Sequence, residues 1–573
     1  MKKKKIWATL HPFYEGGDVL GRKVANLGFI KALLRSDPFD EYHFFLDRPE
    51  ACKNMEEVLR EDFPALWEGG RFGLRLRGEL PYRLAGERFF CFHLSDCFVL
   101  FTSLMQARSA YSRDIFPITA PTHSLSYSEY GRAFLQHLWA GVSGRDAVVA
   151  TSRCGRDVVE GMYGSLRAAY ALDAGSFPAP GVKIVPLGVE PGEFPSPGAK
   201  EKLGREKRAR LGIAPFGEAT VFLLFARLTY LSKMDLLPLL RVFKRAEGLG
   251  LRPGSYQLIL AGWQEEGDAF SGEFKNLAAN LGIRCSLVPR PDNDERKALF
   301  AAADVFLSPA DNLQETFGLT ILEAAVSGLP VIASDFDGYK DLVLPGQTGL
   351  LVPTLGPAAT PDTDVRSSFT SAGEYHLRLA QQCVVEPAAM ARAVAGLALD
   401  PALRRRLGEA ARKRVLAEFS WKAIIKRYVA LWEELAAKPL RPDEEERVRR
   451  AVHPAFPPYM EIFGDYFSAR LGSSPASSGE NSAENNGGQS RRVRWSRSGE
   501  AVYRGLDFPV IYQLLDAEIK LEQLKRLLFA ARRPLPLEEL RRQCPAPAHG
   551  QGARADRDFL LLWALKHDLL EFI

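Results

Sequence analysis

Short apolar runs without alternating polar residues are the feature that most restricts how this chain can fold. Such runs lie at residues 221–226, 257–261, 305–308 and 331–334, and stretches of helical spacing separate them. Strands that are apolar throughout are typical of parallel sheets covered by helices on both faces. The sequence therefore predicts an α/β protein with a doubly wound parallel sheet.

A second series of this kind occupies the first part of the chain. Strands are predicted at residues 6–10, 42–46, 97–101 and 147–150, and a helix at 21–34. The 573 residues exceed what one hydrophobic core can organise, because single cores stop growing at roughly 250 to 300 residues. We therefore expect two Rossmann-like domains and further folding units beyond them.

Changes in composition suggest the boundaries between these units. The Gly/Pro-rich residues 185–194 suit a hinge, and residues 472–489, rich in Ser, Asn, Gly and Glu, suit a flexible linker. Beyond the linker, helical spacing at 508–529, 535–544 and 558–573 predicts a small helical, winged-helix-like appendage. The predicted units are an N-terminal Rossmann-like domain at 1–190, a second at 191–420, a helix returning to the first at 421–440, an extension and linker at 441–490, and the appendage at 491–573.

Composition narrows the class of protein and its compartment. With 46% hydrophobic and 25% charged residues, the chain has the composition of an ordinary globular protein. Its seven cysteines are scattered without zinc-ligand spacing, which favours reduced thiols and a cytoplasmic location. The apolar run after the first lysines is too short for a signal peptide, and no run approaches the roughly 18 apolar residues of a membrane span. We expect any membrane association to be peripheral.

Two basic segments allow interpretations that involve a partner. A helix at 21–34 would carry Arg22, Lys23 and Lys31 beside apolar residues, with Arg35 just beyond it, which leaves a contact with an anionic membrane open. The stretch 491–497 combines arginines with Trp495 and resembles a nucleic-acid-binding sequence, but the end of a solvated linker explains it better. We expect no nucleic-acid partner, whereas a protein partner bound through the appendage stays open.

The stretch from 315 to 323, between two predicted strands, is the most informative for chemistry. It reads as a loop and then a helix that starts near Gly318. A helix that starts at the carboxyl edge of a parallel sheet directs free N–H groups and its positive dipole end outward, where phosphates bind. Gly318 would let a phosphate approach the backbone closely.

Two glutamates flank this helix start. Glu323 lies in an otherwise apolar helix, where an unpaired carboxylate would cost several kcal/mol. It could accept two hydrogen bonds from a ribose diol or pair with a nearby Arg or Lys. Glu315 could bind sugar hydroxyls or simply favour the helix dipole. The two residues alone leave these alternatives open.

Cations and glycines follow two other predicted strands. Arg227 and Lys233 come after the strand at 221–226 and could neutralise a diphosphate leaving group, although such residues are more often only solvated. Gly16 and Gly17 form a pair at the turn after the first strand, which permits a close backbone approach to a ligand.

Together these motifs resemble family-4 retaining glycosyltransferases, also described as glycosyl transferases group 1, which have the two-Rossmann GT-B fold. The resemblance covers about residues 5–436. It rests on Gly16 and Gly17, His123 in Thr-His-Ser-Leu, Ser152, Pro186-Leu-Gly-Val189, Arg227 with Lys233, Ala261-Gly262, Glu315 and Glu323 with seven residues between them, and Gly346-Gln-Thr-Gly349. These motifs occur in the order in which the family has them.

The resemblance implies a role for each matching position. Glu315 would bind the hydroxyls of the donor sugar and Glu323 the ribose, while Arg227 and Lys233 would hold the diphosphate. The backbone of Phe317, Gly318 and Leu319 would contact sugar and phosphate, His123 the sugar, and Gly16 and Gly17 the phosphates or the acceptor. Val288 and Arg290, beside the strand that ends at Pro289, would lie near the nucleobase.

The implied reaction is transfer of a hexosyl group from a nucleoside diphosphate sugar, with UDP or GDP sugars favoured, to a glycan, lipid-linked saccharide or small molecule. The family resemblance implies retention of anomeric configuration, two domains facing across a cleft, and no metal or cofactor. It suggests a front-face reaction in which the leaving diphosphate accepts the proton of the acceptor. Two alternatives remain: a donor-binding regulatory or scaffold protein without catalysis, and another GT-B activity such as sugar-nucleotide epimerisation or phosphorolysis.

Overall fold

The computed structural model describes residues 4–14, 21–195, 197–229, 231, 233–264, 270–468, 470–471, 491–515, 519–544 and 558–573. The chain divides into two compact units. The first comprises Met1–Gly78, Phe89–Met105 and Ile115–Ala451, and the second Glu79–Arg88, Gln106–Asp114 and Val452–Ile573. The predicted linker at 472–489 lies outside the described residues.

The first unit begins with a parallel sheet of seven strands in the order β3-β2-β1-β4-β5-β6-β7. Helices α1 to α3, α6 and α7 belong to this part, and α4 and the end of α5 to the second unit. The strands are β1 (Ile6–Thr9), β2 (Glu41–Leu46), β3 (Phe72–Leu76), β4 (Cys91–His93), β5 (Ile118–Pro121), β6 (Asp146–Ala150) and β7 (Gly181–Ile184). The helices are α1 (Gly21–Ser36), α2 (Pro49–Asp62), α3 (Pro64–Glu68), α4 (Leu80–Gly86), α5 (Phe101–Tyr111), α6 (Tyr130–Gln136) and α7 (Arg153–Tyr170).

A second parallel sheet, of six strands in the order β10-β9-β8-β11-β12-β13, follows in the same unit. Its strands are β8 (Thr220–Phe225), β9 (Tyr256–Gly262), β10 (Cys285–Pro289), β11 (Val305–Ser308), β12 (Val331–Ser334) and β13 (Gly349–Val352). The helices around it are α8 (Pro197–Arg210), α9 (Leu237–Glu247), α10 (Phe270–Asn280), α11 (Asn293–Ala302), α12 (Leu319–Val326), α13 (Tyr339–Leu342), α14 (Pro361–Arg366), α15 (Ala372–Ala380), α16 (Pro387–Leu399) and α17 (Pro401–Glu418). Two short antiparallel strands, β14 (Thr354–Leu355) and β15 (Val384–Val385), pair after β13.

These two Rossmann-like domains confirm the predicted α/β class and the predicted GT-B fold. The four central strands of the second sheet, β8, β9, β11 and β12, are mostly apolar and almost wholly buried because helices cover both faces. Side chains cap several helices at their starts, where backbone N–H groups lack intrahelical partners. Ser152 accepts a hydrogen bond from the backbone N–H of Gly155 at the start of α7, and Asp292 accepts one from Glu295 at the start of α11.

One predicted strand of the first sheet is wrong. Residues 97–100 form bends, residue 101 begins α5, and the strand is β4, at Cys91–His93. Asp96 explains the difference, because its carboxylate accepts hydrogen bonds from the backbone N–H groups of Phe98 and Val99, at 2.9 and 3.1 Å. This local side-chain cap turns an apolar run toward a helix rather than a strand.

Helix α18 (Trp421–Ala437) packs into the core of the first sheet. Its Trp432 donates a hydrogen bond to the Thr119 hydroxyl of β5 at 2.8 Å. Two backbone hydrogen bonds join the start of this helix to Val189. The Val189 N–H donates to the carbonyl oxygen of Phe419, and the Trp421 N–H donates to that of Val189. Helix α19 (Pro442–Arg450) closes the unit.

The second unit combines helices with a three-stranded antiparallel sheet in the order β17-β16-β18. The elements of its C-terminal part are α20 (Tyr459–Ile462), β16 (Arg492–Trp495), α21 (Arg497–Tyr503), α22 (Leu521–Ala530), β17 (Leu535–Pro536), α23 (Leu537–Gln543), α24 (Phe559–Lys566) and β18 (Leu570–Phe572). A helical C-terminal region is therefore confirmed. The helical spacing at 508–529 overestimated the helix, which begins only at Leu521.

The interpretation of 491–497 as a linker end is wrong. Residues Arg492–Trp495 form the central strand of this sheet, and the Val493 side chain is completely buried. Arg494 pairs with Glu571 at 2.6 Å on the neighbouring strand. A strand with one buried face accounts for the alternation of arginine and apolar residues here.

Candidate functional site

The conformation of Gly318 creates the start of helix α12 at the carboxyl edge of the second sheet. Its φ is +105°, a region that favours glycine, and a Cβ at this position would meet the ring of Tyr339 at 2.5 Å. The Tyr339 ring therefore packs closely against the backbone at Gly318, directly before the first turn of α12. The sequence predicts phosphate binding at this helix start, because the N–H groups of a first helical turn lack intrahelical partners.

Glu315 lies just before this helix start with its carboxylate held on several sides. Its Oε2 atom forms an ion pair with Lys233 and accepts a hydrogen bond from the Tyr339 hydroxyl at 3.1 Å. Its Oε1 atom accepts bonds from the backbone N–H groups of Thr316 and Phe317, each at 3.2 Å. Burial alone would raise the pKa of this carboxyl, but the charge of Lys233 and the hydrogen bonds lower it below its ordinary value. Glu315 is therefore an ionised, fixed acceptor.

Tyr339 is a site residue that the sequence did not reveal. Its side chain is completely buried, and its hydroxyl lies 2.7 Å from the Ser308 hydroxyl and 3.1 Å from Glu315. Ser308 ends β11, whereas Tyr339 begins α13 after β12, so the chain of bonds joins two strand ends. Asp337 nearby has a pKa raised to about 8, through burial and the charge of Glu315.

Glu323 is paired with Arg296, a residue of α11 that the sequence did not single out. The Arg296 Nη1 atom donates to the Oε1 atom at 2.5 Å, while its Nη2 atom lies 3.4 Å from Glu193. The second carboxylate oxygen of Glu323, Oε2, is buried and has no hydrogen-bond partner within the described part of the chain. Burial raises the pKa of Glu323 to about 7, against the opposing effect of Arg296.

The two predicted cations both reach the segment just before the helix. Lys233 contacts Glu315, and the Nη2 atom of Arg227 lies 3.5 Å from the side-chain oxygen of Gln314. Both cations are half-buried. Both cations therefore lie beside the residues that precede α12, and Lys233 is paired with the Glu315 carboxylate.

His123 lies in the first domain, beyond the carboxyl end of β5. It is half-buried, and its Nε2 atom lies 2.8 Å from the carbonyl oxygen of Ser95, so Nε2 carries the proton and donates. His93, at the end of β4, is buried, and burial lowers its pKa to about 3, with His11 and His123 adding to the effect. The imidazole of His93 is therefore neutral, and three histidines collect at one edge of the first sheet.

Loops of the first domain form hydrogen bonds to backbone carbonyl groups of residues 314–316 in the second domain. Ser124 donates to the carbonyl of Gln314 at 3.1 Å, and Ser152 donates to that of Thr316 at 3.2 Å. Arg153 and Asp341 form an ion pair at 2.5 Å across the same two domains. Thus His123 and the glutamate stretch are brought to one region, although the sequence separates them widely.

The remaining predicted residues have mixed positions. Phe317 is buried and Leu319 half-buried at the helix start. Val288 is buried in β10, and Arg290 follows with its backbone at φ +48° and its guanidinium 2.8 Å from the carbonyl oxygen of Gln264. Gly16 and Gly17 lie outside the described residues.

The described residues contain neither a cluster of metal-ligating side chains nor a membrane-spanning helix. No group of three or more His, Cys, Asp and Glu side chains in that part of the chain is arranged to hold a metal ion. No helix there has both the length and the apolar character needed to cross a membrane.

Residues 216–359 match the family model described as glycosyl transferases group 1. Among curated proteins, the chain is 34% identical over 131 residues to a D-inositol 3-phosphate glycosyltransferase of Corynebacterium efficiens, which is 22% of this chain and 30% of that protein. It is 30% identical over 216 residues to the protein of the same name from Streptomyces avermitilis, covering 37% of this chain and 39% of the relative. The chain thus spans less than half the length of these relatives. The matched range includes residues 315–323, Arg227 and Lys233.

Two solved structures with a similar path of the backbone are a glycosyltransferase and a protein in complex with UDP and glucose. A glycosyltransferase from Rickettsia africae matches with a TM-score of 0.49 and 14% identity, covering 77% of this chain and all of that chain. HepE of Anabaena in complex with UDP and glucose matches with a TM-score of 0.48 and 15% identity, covering 75% of this chain and all of that chain. The two parallel sheets, rather than these likenesses, define the fold.

Proposed function

We propose that this chain is a glycosyltransferase that transfers a hexosyl group from a nucleoside diphosphate sugar to an acceptor, with retention at the anomeric carbon. The observation that carries the proposal is the segment from Glu315 to Glu323, where two carboxylates with side chains only 10% and 11% exposed flank a helix start at the carboxyl edge of a parallel sheet. The match of residues 216–359 to glycosyl transferases group 1 supports the same conclusion.

Glu323 fits a ribose because one of its two oxygens still requires a hydrogen-bond donor. A buried acceptor without a partner costs about 1–3 kcal/mol, and a diol hydroxyl would remove that cost. Arg296 holds the other oxygen, so the carboxylate presents Oε2 in a fixed direction. Val288 and Arg290 would then lie toward the base, and the backbone of Phe317, Gly318 and Leu319 toward the diphosphate and sugar.

Glu315 fits donor-sugar hydroxyls better than the role of nucleophile. Retention through two displacements would require a carboxylate free to attack the anomeric carbon. Both oxygens of Glu315 already accept hydrogen bonds, and the pKa of this carboxyl is lowered, which makes it a poor nucleophile. We therefore favour a front-face reaction. The bond from the anomeric carbon to the phosphate oxygen breaks, the acceptor oxygen bonds to that carbon, and the acceptor proton moves to the leaving diphosphate.

Arg227, Lys233 and the start of α12 would stabilise the charge that develops on the leaving diphosphate. Lys233 would exchange its contact with Glu315 for one shared between the carboxylate and the phosphate. His123 would contact the sugar from the first domain, and Gly16 and Gly17 the phosphates or the acceptor. The reaction as proposed uses no metal and no cofactor beyond the donor substrate.

Product analysis tests this proposal against its alternatives. We suggest incubating the protein with UDP, GDP and ADP sugars and with an acceptor panel that includes an inositol phosphate, after the name of the curated relatives. Formation of a glycoside whose anomeric configuration matches the donor supports the proposal. An epimerised donor or phosphorolysis would contradict the proposal and indicate another GT-B activity. Binding without turnover would indicate a donor-binding regulatory or scaffold protein.

We further propose a cytoplasmic protein that touches the inner face of a membrane through helix α1. Val24 and Leu27 of this helix are 41% and 36% exposed, and they lie among the basic residues that suggested the contact. Lys31, however, is paired with Asp62 at 2.9 Å. Sedimentation with anionic liposomes at low salt tests the proposal, and absence of binding would remove it.

A further inference from the structure

Residues 354–385, which we call the two-helix segment, form an addition to the second domain after its last strand. The antiparallel strands β14 and β15 close the segment at its base, and helices α14 and α15 lie between them. The sequence motifs that define the donor site include none of these residues. Nevertheless, the side chain of His376 brings the segment into contact with that site.

His376 is completely buried on α15 and contacts both domains. Its Nε2 atom lies 2.8 Å from the hydroxyl of Ser126, which belongs to the loop after His123. Its Nδ1 atom lies 3.0 Å from the side-chain nitrogen of Gln314. Because an amide nitrogen can only donate, Nδ1 must accept, and the imidazole proton resides on Nε2 and is donated to Ser126.

The side-chain amide of Gln314 links His376 to Arg227. Its side-chain nitrogen donates to His376 and also to the Tyr127 hydroxyl at 3.1 Å. With the nitrogen fixed on that side, the amide oxygen points toward the Arg227 guanidinium, 3.5 Å away. The opposite orientation of the amide would set its NH₂ donor against the Arg227 guanidinium, which can only donate.

The two-helix segment also contacts the loop that joins Arg227 to Lys233 at its far end. Gln381, just beyond α15, donates to the Asp235 carboxylate at 3.0 Å. The backbone N–H of Asp235 in turn donates to Asp311 at 3.1 Å. The segment therefore touches both the start of the glutamate stretch and the end of the cationic loop.

We infer that His376 is a positioning residue of the donor site, which fixes the amide of Gln314 and through it aims Arg227 at the diphosphate of the donor. This inference rests on the proposed function, since it requires that Arg227 binds a diphosphate. In this role His376 contacts neither the sugar nor the phosphates of the donor. The two-helix segment is thus part of the donor site rather than a surface addition.

The test uses the whole protein and three substitutions. His376→Phe keeps a ring of similar size and removes both nitrogens, whereas His376→Asn offers an oxygen near the position of Nδ1. Arg378→Ala is the control, because Arg378 lies on the same helix in an exposed ion pair with Glu374. The probes are UDP, GDP and ADP, whichever binds the wild type most tightly, and the matching nucleoside, measured by calorimetry and by competition.

The inference predicts that His376→Phe lowers the affinity for the nucleoside diphosphate but not the affinity for the nucleoside. His376→Phe should bind the nucleoside diphosphate about three- to tenfold more weakly, the effect of one or two hydrogen bonds, and the nucleoside as well as the wild type does. His376→Asn should recover most of the affinity, and Arg378→Ala should lose none. In an Arg227→Ala background, His376→Phe should cause no further loss, because the two residues act in series.

Three results would overturn the inference. The first is equal weakening of nucleoside and diphosphate by His376→Phe, as a general loss of folding would cause. The second is a folded His376→Asn variant that is as weak as His376→Phe, and the third is full additivity with Arg227→Ala. Failure of the wild type to bind any of the three nucleoside diphosphates would instead overturn the proposed function itself, and the inference with it.

Discussion

Arg296 donates a hydrogen bond of 2.5 Å to one oxygen of Glu323, and the other oxygen of this buried carboxylate has no partner within the described residues. In this ion pair, Arg296 provides a hydrogen-bond partner for only one of the two carboxylate oxygens. The pairing with an arginine and the binding of a diol, which the sequence presents as alternatives, are therefore compatible. Arg296 holds the carboxylate, and Oε2 stays available to a ligand.

Because the pKa of Glu323 is raised in the folded protein, the free energy of unfolding should depend on pH. Its pKa is 4.5 when unperturbed and about 7 in the folded protein, so the folded state binds the proton more tightly. Stability relative to Glu323→Gln should thus fall as pH rises from about 4.5 to about 7, by at most about 1.4 kcal/mol per pH unit, and then level off. Urea denaturation of both proteins between pH 5 and 8 measures this difference. A difference that is constant with pH would contradict the raised pKa.

Donor binding should depend on the same ionisation with the opposite sign. Only the ionised carboxylate accepts two hydrogen bonds, so affinity for the donor should increase as pH rises through about 7. Arg296→Met should move this rise to higher pH. A rise of about one pKa unit would lower the ionised fraction at pH 7 from about one half to about one tenth and weaken binding about fivefold. Lys297→Met is a matched control on the same helix, because Lys297 pairs with Asp294 rather than Glu323. An unchanged pH profile in Arg296→Met would exclude the coupling.

Tyr339→Phe should weaken the fixation of Glu315 without changing the shape of the site. The variant loses a hydrogen bond to an ionised group, which contributes about 1.5–3 kcal/mol, and kcat/KM should fall roughly 10- to 100-fold. Tyr428→Phe serves as the control, since Tyr428 is also fully buried and lies in the aromatic core of the first sheet. Steady-state kinetics of both variants decides the matter, and equal effects of the two substitutions would show that Tyr339 acts only through packing.

Gly318→Ala should damage the site through a clash, and Gly328→Ala provides the reference. Both glycines have positive φ, +105° and +71°, but a Cβ at Gly328 has nothing within 4 Å, whereas one at Gly318 meets Tyr339 at 2.5 Å. Each substitution should cost about 1–3 kcal/mol of backbone strain, and Gly318→Ala should cost more and also weaken donor binding. Equal unfolding midpoints with unchanged donor affinity would mean that the helix start tolerates a side chain.

The sequence predicted the architecture because apolar strands and helical spacing are local properties. Most predicted strands of both sheets were found, and the error at 97–101 came from a side-chain cap by Asp96, which periodicity does not report. The short strands β14 and β15 and the strand β16 have too few residues for a period to stand out.

The candidate site was predictable only where residues form a motif. Glu315 and Glu323 are separated by a fixed interval on one loop and helix, so the sequence shows them together. Arg296, Tyr339 and His376 reach the same place from α11, α13 and α15, and their contacts arise only when strand ends are brought side by side. Nothing in their local sequence distinguishes them from residues of an ordinary helix.

The account depends most directly on the binding of a nucleoside diphosphate sugar at Glu323. The decisive measurement is a thermal-shift panel of UDP, GDP and ADP sugars, with affinities then determined by calorimetry for the wild type and for Glu323→Ala. We predict that at least one of these donors stabilises the wild type and that Glu323→Ala binds it at least tenfold more weakly, since the substitution removes two hydrogen bonds to an ionised group. If no donor stabilised the wild type, or if Glu323→Ala bound the donor equally well, the proposed donor site would be contradicted.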